Sequence, residues 1–455
     1  MQSNAALLII AAIAVAGLVF LIVRLKVSAF VALILASIFV GLAAGMSPPR
    51  LMKAFQDGVG GVLGSIAMII GLGTILGKML AESGGAQVIS DRLIALFGPH
   101  RLQWAFLVIA LVVGLPVFFS VGLVLLVPIL YAVATQHKLP LLWLGLPMVA
   151  GLSAAHGFIP PHPGPLAAIG ILKADLGKTI LLSLPVAFVS AIIAGPLFTR
   201  LLRREGLTVT GELPIQSSTT VAAKPSFALT AFAILLPIVL MTGPTFANIF
   251  LPPDPNPNLN LNLNLNPNLL HSTLALLGHP VFALTIGVIF AWLTLARGFS
   301  REKILKSNEE SLAPIAVILL VVAAGAGFSR VLIESGVGKA VADIATRWNL
   351  PVIPMGFVLA SLIRVATGSA TVAITTTAGL MLPVTQAQPG TNLELLVLAM
   401  GAGSLILSHV NDGGFWLVKE YLNLSVPQAL RTWTVLETIL ALAGFGCVFL
   451  LDLVL

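Results

Sequence analysis

In the run LSHVNDGGFW, Leu407 to Trp416, four polar side chains stand inside an otherwise apolar stretch: Ser408, His409, Asn411 and Asp412. Two of them titrate. An ionisable group in apolar surroundings is costly to desolvate, so one kept there is a functional hypothesis by default. Asp412 leads as the group that would take up and release a proton, with His409 beside it; Gly413 and Gly414 equally allow an exposed turn in which the carboxylate does nothing. A second run, RVATGSATVAITTTAGLMLP from Arg364 to Pro383, carries hydroxyls at Thr367, Ser369, Thr371, Thr375, Thr376 and Thr377. The planar guanidinium of Arg364 would hold a carboxylate through two parallel hydrogen bonds, or would snorkel to an interface from its helix end. Any single hydroxyl reads first as glue between helices; the cluster reads as a partner for a polyhydroxylated anion, with Ser408 and Asn411 offering the same chemistry.

Two further runs are interrupted by proline and glycine. GLSAAHGFIPPHPGP, Gly151 to Pro165, cannot continue one helix through His162. His156 and His162 lie in this run, and His is the side-chain type that can titrate near neutrality; His162 reads either as a substrate or proton ligand or as a structural imidazole bonded to a carbonyl. Zinc would want more ligands at closer spacing, and there is no H-E-x-x-H; neither metal nor cofactor is expected. In GLPVFFSVGLVLLVP, Gly114 to Pro128, Ser120 is the lone polar side chain. Gly122 and Gly368 would permit a tight reversal, as at the tip of a re-entrant hairpin, and the freed N–H groups there suit an anion.

The elements that must position these residues are membrane helices. The 455 residues are 58% hydrophobic and 9% charged, with a mean hydropathy of +1.05; soluble domains carry about 25% charged residues. Apolar stretches long enough to span a bilayer recur from end to end, so the chain is an all-α polytopic membrane protein. The net charge of +7 is spread over short loops, which reports orientation rather than nucleic-acid binding. Cys447 is the only cysteine, which excludes an intramolecular disulfide and reads as a buried, inert thiol. Ala5 to Val23 lacks a basic n-region and a cleavage site, and is read as the first transmembrane helix.

The chain repeats itself. GTILGKMLAESGG, Gly73 to Gly85, matches GAGFSRVLIESGV, Gly325 to Val337: Lys78 pairs with Arg330 and Glu82 with Glu334, each at an offset of 252 (330 − 78 = 252). Asp91 with Asp343 and Met148 with Met400 keep the register, and Lys173 with Lys419 follow after small shifts. Within each half the i,i+4 pairs Lys78–Glu82 and Arg330–Glu334 read as structural neutralisation. Arg200, Arg203, Arg204 and Lys224 put the central linker in the cytoplasm; a helix from Phe227 to Met241 then leads outward, and one from Pro280 to Ala296 returns to Arg297, Arg301, Lys303 and Lys306. The loop between them, Thr242 to His279, holds no Lys or Arg and reads as external, whereas Arg24 and Lys26 make its counterpart in the first half cytoplasmic, so equivalent loops lie on opposite sides. That is an inverted-topology repeat, the plan of secondary transporters, though Arg50 and Lys53 run against it. The expected organisation is a first membrane repeat, 1–205; a cytoplasmic linker, 206–226; and a second membrane repeat, 227–455, with a periplasmic low-complexity loop, 252–270, of alternating Asn and Leu.

GFIPPHPGP, ATGSATVAITTTAG and LSHVNDGGFWLVKEY strongly resemble the signature blocks of the gluconate permease family of bacterial gluconate–proton symporters. The likeness runs from about Gly71 to Val448. It implies an inner-membrane carrier that imports gluconate, or another small organic anion, with protons. Relatives resembling idonate, fructuronate and D-serine carriers keep D-serine or a short carboxylate open as alternative substrates. By analogy the resemblance also implies an elevator-type carrier with re-entrant hairpins, and a homodimer that enlarges its fixed scaffold. Against an intramembrane enzyme stands the absence of GxSxG or a paired metal motif; against a channel stands the inverted repeat.

Overall fold

The computed structural model describes residues 3–204, 224–250, 267–313, 315–340, 343, 351–410 and 412–455. Most of the expected linker at 206–226, and residues 252–266 of the Asn–Leu loop, lie outside the described residues. No strand occurs among the described residues. In hydrocarbon every backbone polar group must be satisfied within the chain, and helices do this locally.

The first half contains α1 (Asn4–Val23), α2 (Ala29–Ala43), α3 (Pro48–Glu82), α4 (Gly85–Phe97), α5 (Leu102–Gly114), α6 (Phe119–Gln136), α7 (Leu141–Phe158), α8 (Pro163–Leu172), α9 (Leu176–Ile192) and α10 (Phe198–Arg204). The second contains α11 (Phe227–Phe250), α12 (Pro267–Gly278), α13 (Pro280–Thr294), α14 (Arg301–Leu312), α15 (Ile315–Glu334), α16 (Val352–Thr367), α17 (Ala370–Ala387), α18 (Leu393–Leu405) and α19 (Gly413–Tyr421). A short turn and a π-helical segment, Leu430–Thr434, lead into α20 (Val435–Asp452). Eight helices among the described residues are long and apolar enough to cross a membrane, or ten if each of two bent pairs forms one span.

Two expected boundaries shift. The helix expected to end at Met241 continues through Pro237 and Pro244 to Phe250, and α12 begins at Pro267, inside the expected loop. Cys447 is only partly enclosed on α20, not fully buried.

Helix starts recur at nearly the spacing of the sequence repeat: Ala29 and Pro280 (251 apart), Pro48 and Arg301 (253), Phe119 and Ala370 (251), Leu141 and Leu393 (252). The 35-residue α3, about 52 Å long at 1.5 Å per residue, corresponds to α14 and α15 together.

The halves are interlocked. α3 packs chiefly on α15; α2 also packs on α15, and α13 on α3. The approach is close: a Cβ on Gly58 would lie 2.5 Å from the Ala326 carbonyl oxygen, and one on Gly327 2.6 Å from the Phe55 ring. Elsewhere α5 packs on α7 and α16 on α18.

Ion pairs cluster at two places. Lys78 Nζ reaches Glu82 at 3.1 Å and Glu310 at 3.3 Å, while Glu334 takes Arg330 at 3.0 Å and Arg50 at 3.2 Å. The Arg50 side chain is 61% exposed, and exposed pairs of this kind contribute about 0.2–1 kcal/mol. Arg50→Ala is therefore expected to leave uptake intact and shift the unfolding midpoint only slightly, which a thermal melt in detergent would read.

Candidate substrate site

The interrupted segments meet at one cavity of about 830 Å³. Pro116 to Val121, the turn from α5 into α6, forms one part of its wall. Arg364 and Thr367 to Thr371, the turn from α16 into α17, form a second, and Asp412 to Gly414, the head of α19, a third. The α16–α17 turn depends on Gly368, whose φ of +71° is a conformation that side chains disfavour. Ser369 then caps α17, accepting from the Val372 N–H at 3.4 Å.

Three helices thus begin at the cavity wall. The first N–H groups of a helix have no acceptor within it, and the N-terminal end carries the positive pole of the helix dipole. Converging starts of α6, α17 and α19 therefore make the cavity attractive to an anion.

Arg364 and Asp412 complete the electrostatics. Arg364 Nη2 donates to Asp412 Oδ2 at 2.5 Å, with side chains 4% and 14% exposed. The same Oδ2 accepts from the Ser408 hydroxyl, and Oδ1 accepts from the Gly414 N–H at 2.8 Å. Behind them Trp433 Nε1 donates to Ser408 Oγ at 2.7 Å, and the Thr434 hydroxyl donates to the Ser408 carbonyl. Asp412 is thus a helix cap and a counter-ion together, not a carboxylate on an exposed turn. Arg364 keeps a buried Nε with no hydrogen-bond partner, so part of its fork remains free.

Of the residues singled out in the sequence, Ser120, Arg364, Thr367, Ser369, Thr371 and Asp412 all line the cavity. Ser408 is buried one layer behind. His162 is also buried: its Nε2 donates to the Gly114 carbonyl at 2.7 Å, and its ring stands edge-on to His156, centroids 5.1 Å apart. His156, not His162, reaches the cavity. His409 is half-buried and contributes its carbonyl to the Asp412 N–H at 2.8 Å. Asn411 lies outside the described residues. The hydroxyls of Thr375, Thr376 and Thr377 are buried on α17 away from the cavity lining.

Reasoning from broken helices alone misses Trp433, the mouth residues Lys78 and Glu310, and Glu437 on α20. Glu437 has a clear signal: it is the only charged residue between Arg431 and Asp452. No group of three or more His, Cys, Asp or Glu among the described residues could hold a metal ion.

A model of the GntP family permeases matches residues 6–454. A gluconate permease of Pseudomonas aeruginosa is 46% identical over all of this chain and 99% of its own length. The L-idonate transporter of the Gnt-II system of Escherichia coli is 42% identical, covering 98% of this chain and 99% of the relative. A high-affinity gluconate transporter of E. coli is 40% identical, covering 97% and 99%. In overall shape the chain is similar to MtrF of Neisseria gonorrhoeae, with a TM-score of 0.65 at 13% identity over 94% of this chain and 96% of that one. It is also similar to the YdaH transporter of Alcanivorax borkumensis, with a TM-score of 0.59 at 17% identity over 89% of both chains.

Proposed function

The chain belongs to the GntP family of permeases, and on that premise we propose that it imports gluconate, or a close sugar-acid relative, together with protons. It is a multi-pass inner-membrane permease and not an enzyme. The observation that carries the substrate reading is the convergence of three helix N-termini and a half-free buried guanidinium on one cavity. A sugar acid presents a carboxylate at one end and a row of hydroxyls behind it. Arg364 and the helix starts suit the carboxylate; Ser120, Thr367, Ser369 and Thr371 suit the hydroxyls.

Alternating access between inverted repeats is the movement this reading requires. The cavity mouth is formed in part by Thr74, Gly77, Lys78 and Glu310. A second, smaller cavity of about 410 Å³ is lined by Ala326, Ser329, Arg330 and Gly58. These are the same positions one repeat away (326 − 74, 329 − 77, 330 − 78 and 310 − 58 all equal 252). The larger mouth adjoins α14, whose Arg301, Lys303 and Lys306 belong to the cytoplasmic basic segment. This supports a cavity open inward, with the smaller one marking where the outward mouth forms. Arg50, the residue at odds with the loop-charge rule, has a local reason to be where it is: it pairs with Glu334.

Labelled gluconate is expected to accumulate in proteoliposomes under an imposed inward proton gradient, and to run back to equilibrium when an uncoupler is added. Uptake indifferent to the uncoupler would remove the proton from the mechanism. No gluconate uptake by folded protein would move the substrate to another acid or to D-serine, which competition by unlabelled compounds would identify.

A further inference from the structure

Glu437 is a carboxyl that the binding chemistry above does not use. It lies on the span from Val426 to Asp452, 11 residues from one end and 15 from the other (437 − 426 and 452 − 437). It is 1% exposed, yet it borders the cavity. Its Oε1 has no hydrogen-bond partner, and no ion pair reaches it among the described residues. The titratable or charged groups that share the cavity with it are His156 of α7, Arg364 of α16, Asp412 at the head of α19, and Lys78 and Glu310 at the mouth. Ser153 of α7, Leu405 of α18 and Trp433 of the π-helical segment line the same cavity. Asp412 is already committed, with both oxygens bonded and Arg364 as its cation.

We propose that Glu437 is the proton-carrying residue, and that its carboxylate and that of the substrate compete for the free side of Arg364. The inference rests on the symport reading above. In the empty site this requires an ionised Glu437 to move onto the free Nε of Arg364, since the two are not bonded in this structure. An arriving sugar acid takes that position, and the displaced carboxylate, left buried without a cation, accepts a proton from the outer solution. On the inner side the anion departs, Glu437 returns to Arg364, and the O–H proton passes to water in the open cavity. The charges balance. Loaded, the site holds Arg364 positive, Asp412 negative, Glu437 neutral and substrate negative; empty, it holds Arg364 positive with Asp412 and Glu437 negative. Both sum to one negative charge, so the cycle is electroneutral and moves one proton per anion.

Glu437→Gln and Asp412→Asn would be compared with the unaltered protein in proteoliposomes. Under a pH difference of one unit, one-to-one symport sustains about tenfold accumulation of gluconate. Glu437→Gln is expected to exchange gluconate across the membrane but to accumulate none, and its exchange should no longer depend on pH. Tenfold accumulation by Glu437→Gln would overturn the proposal. So would loss of exchange in folded protein, which would make Glu437 part of the anion site. Loss of coupling with retained exchange in Asp412→Asn alone would likewise overturn it, in favour of Asp412. A readout free of substrate is the infrared band of a protonated carboxyl, expected in the purified protein when the cavity is filled by an inert organic anion and absent from Glu437→Gln; its absence from the unaltered protein would sink the proposal. If the unaltered protein carries no gluconate, the substrate reading fails while the infrared band still decides the role of Glu437.

Discussion

Arg364→Gln is expected to abolish gluconate uptake and to destabilise the protein, whereas Arg364→Gln combined with Asp412→Asn should recover much of the stability and none of the uptake. The single change removes the cation from an almost fully enclosed pair, and breaking a buried pair from one side costs about 3–5 kcal/mol because the surviving charge is stranded. Neutralising Asp412 as well lifts that penalty. The anion, however, still lacks its guanidinium. Thermal unfolding in detergent reads the first effect and proteoliposome uptake the second, and the double-mutant cycle separates the pair from the substrate contact. Arg364→Lys should also transport poorly, since an ammonium cannot hold Asp412 with one nitrogen and a substrate carboxylate with another in fixed geometry. Uptake by Arg364→Gln at near-normal rates would remove this residue from the substrate site.

Gly77→Ala is the second change with a large expected effect. A Cβ there would lie 2.4 Å from the carbonyl oxygen of Pro116, in the turn that starts α6. Backbone cannot yield as a flexible side chain does, so the turn must shift, at a cost of about 1–3 kcal/mol for overpacking. The same turn carries Val117 to Ser120 along the cavity wall, so uptake should fall together with stability. Gly73→Ala, one helical turn earlier, is the matched control. Its Cβ would meet only Pro161 Cγ at 3.8 Å, an ordinary contact, and the exchange favours helix by about 1 kcal/mol. It should transport normally. Equal behaviour of the two alanine variants would show that the approach of α3 to this turn does not control the site.

The helices were largely legible from apolar length and the repeat: the first was expected at Ala5 to Val23 and spans Asn4–Val23. The end of α11 was not legible: the helix runs on past the expected Met241, through Pro244, to Phe250. Arg364 and Asp412 could each be found alone, as charges inside apolar runs. Their pairing could not, because 48 residues separate them and only the geometry of two turns brings them together. His162 illustrates the reverse case. Its surroundings in the chain are as suggestive as those of Asp412, but a carbonyl freed at the end of α5 claims the imidazole. Glu437 obeys the same rule that singles out Asp412, yet a search guided by glycine and proline passes over it because its helix is unbroken there.

The interlocking of α3 with α15 also bears on how the protein is made. Gly58 finds its partner at Ala326, 268 residues later (326 − 58). At about 5–20 residues per second a ribosome needs roughly 13 to 54 s to bridge that interval. Throughout it, a glycine-lined face shaped to meet another backbone must wait in lipid. The first half is therefore a long-lived assembly intermediate during synthesis, and pulse-labelled nascent chains truncated before Ala326 should be more readily degraded by membrane proteases than chains that have passed it.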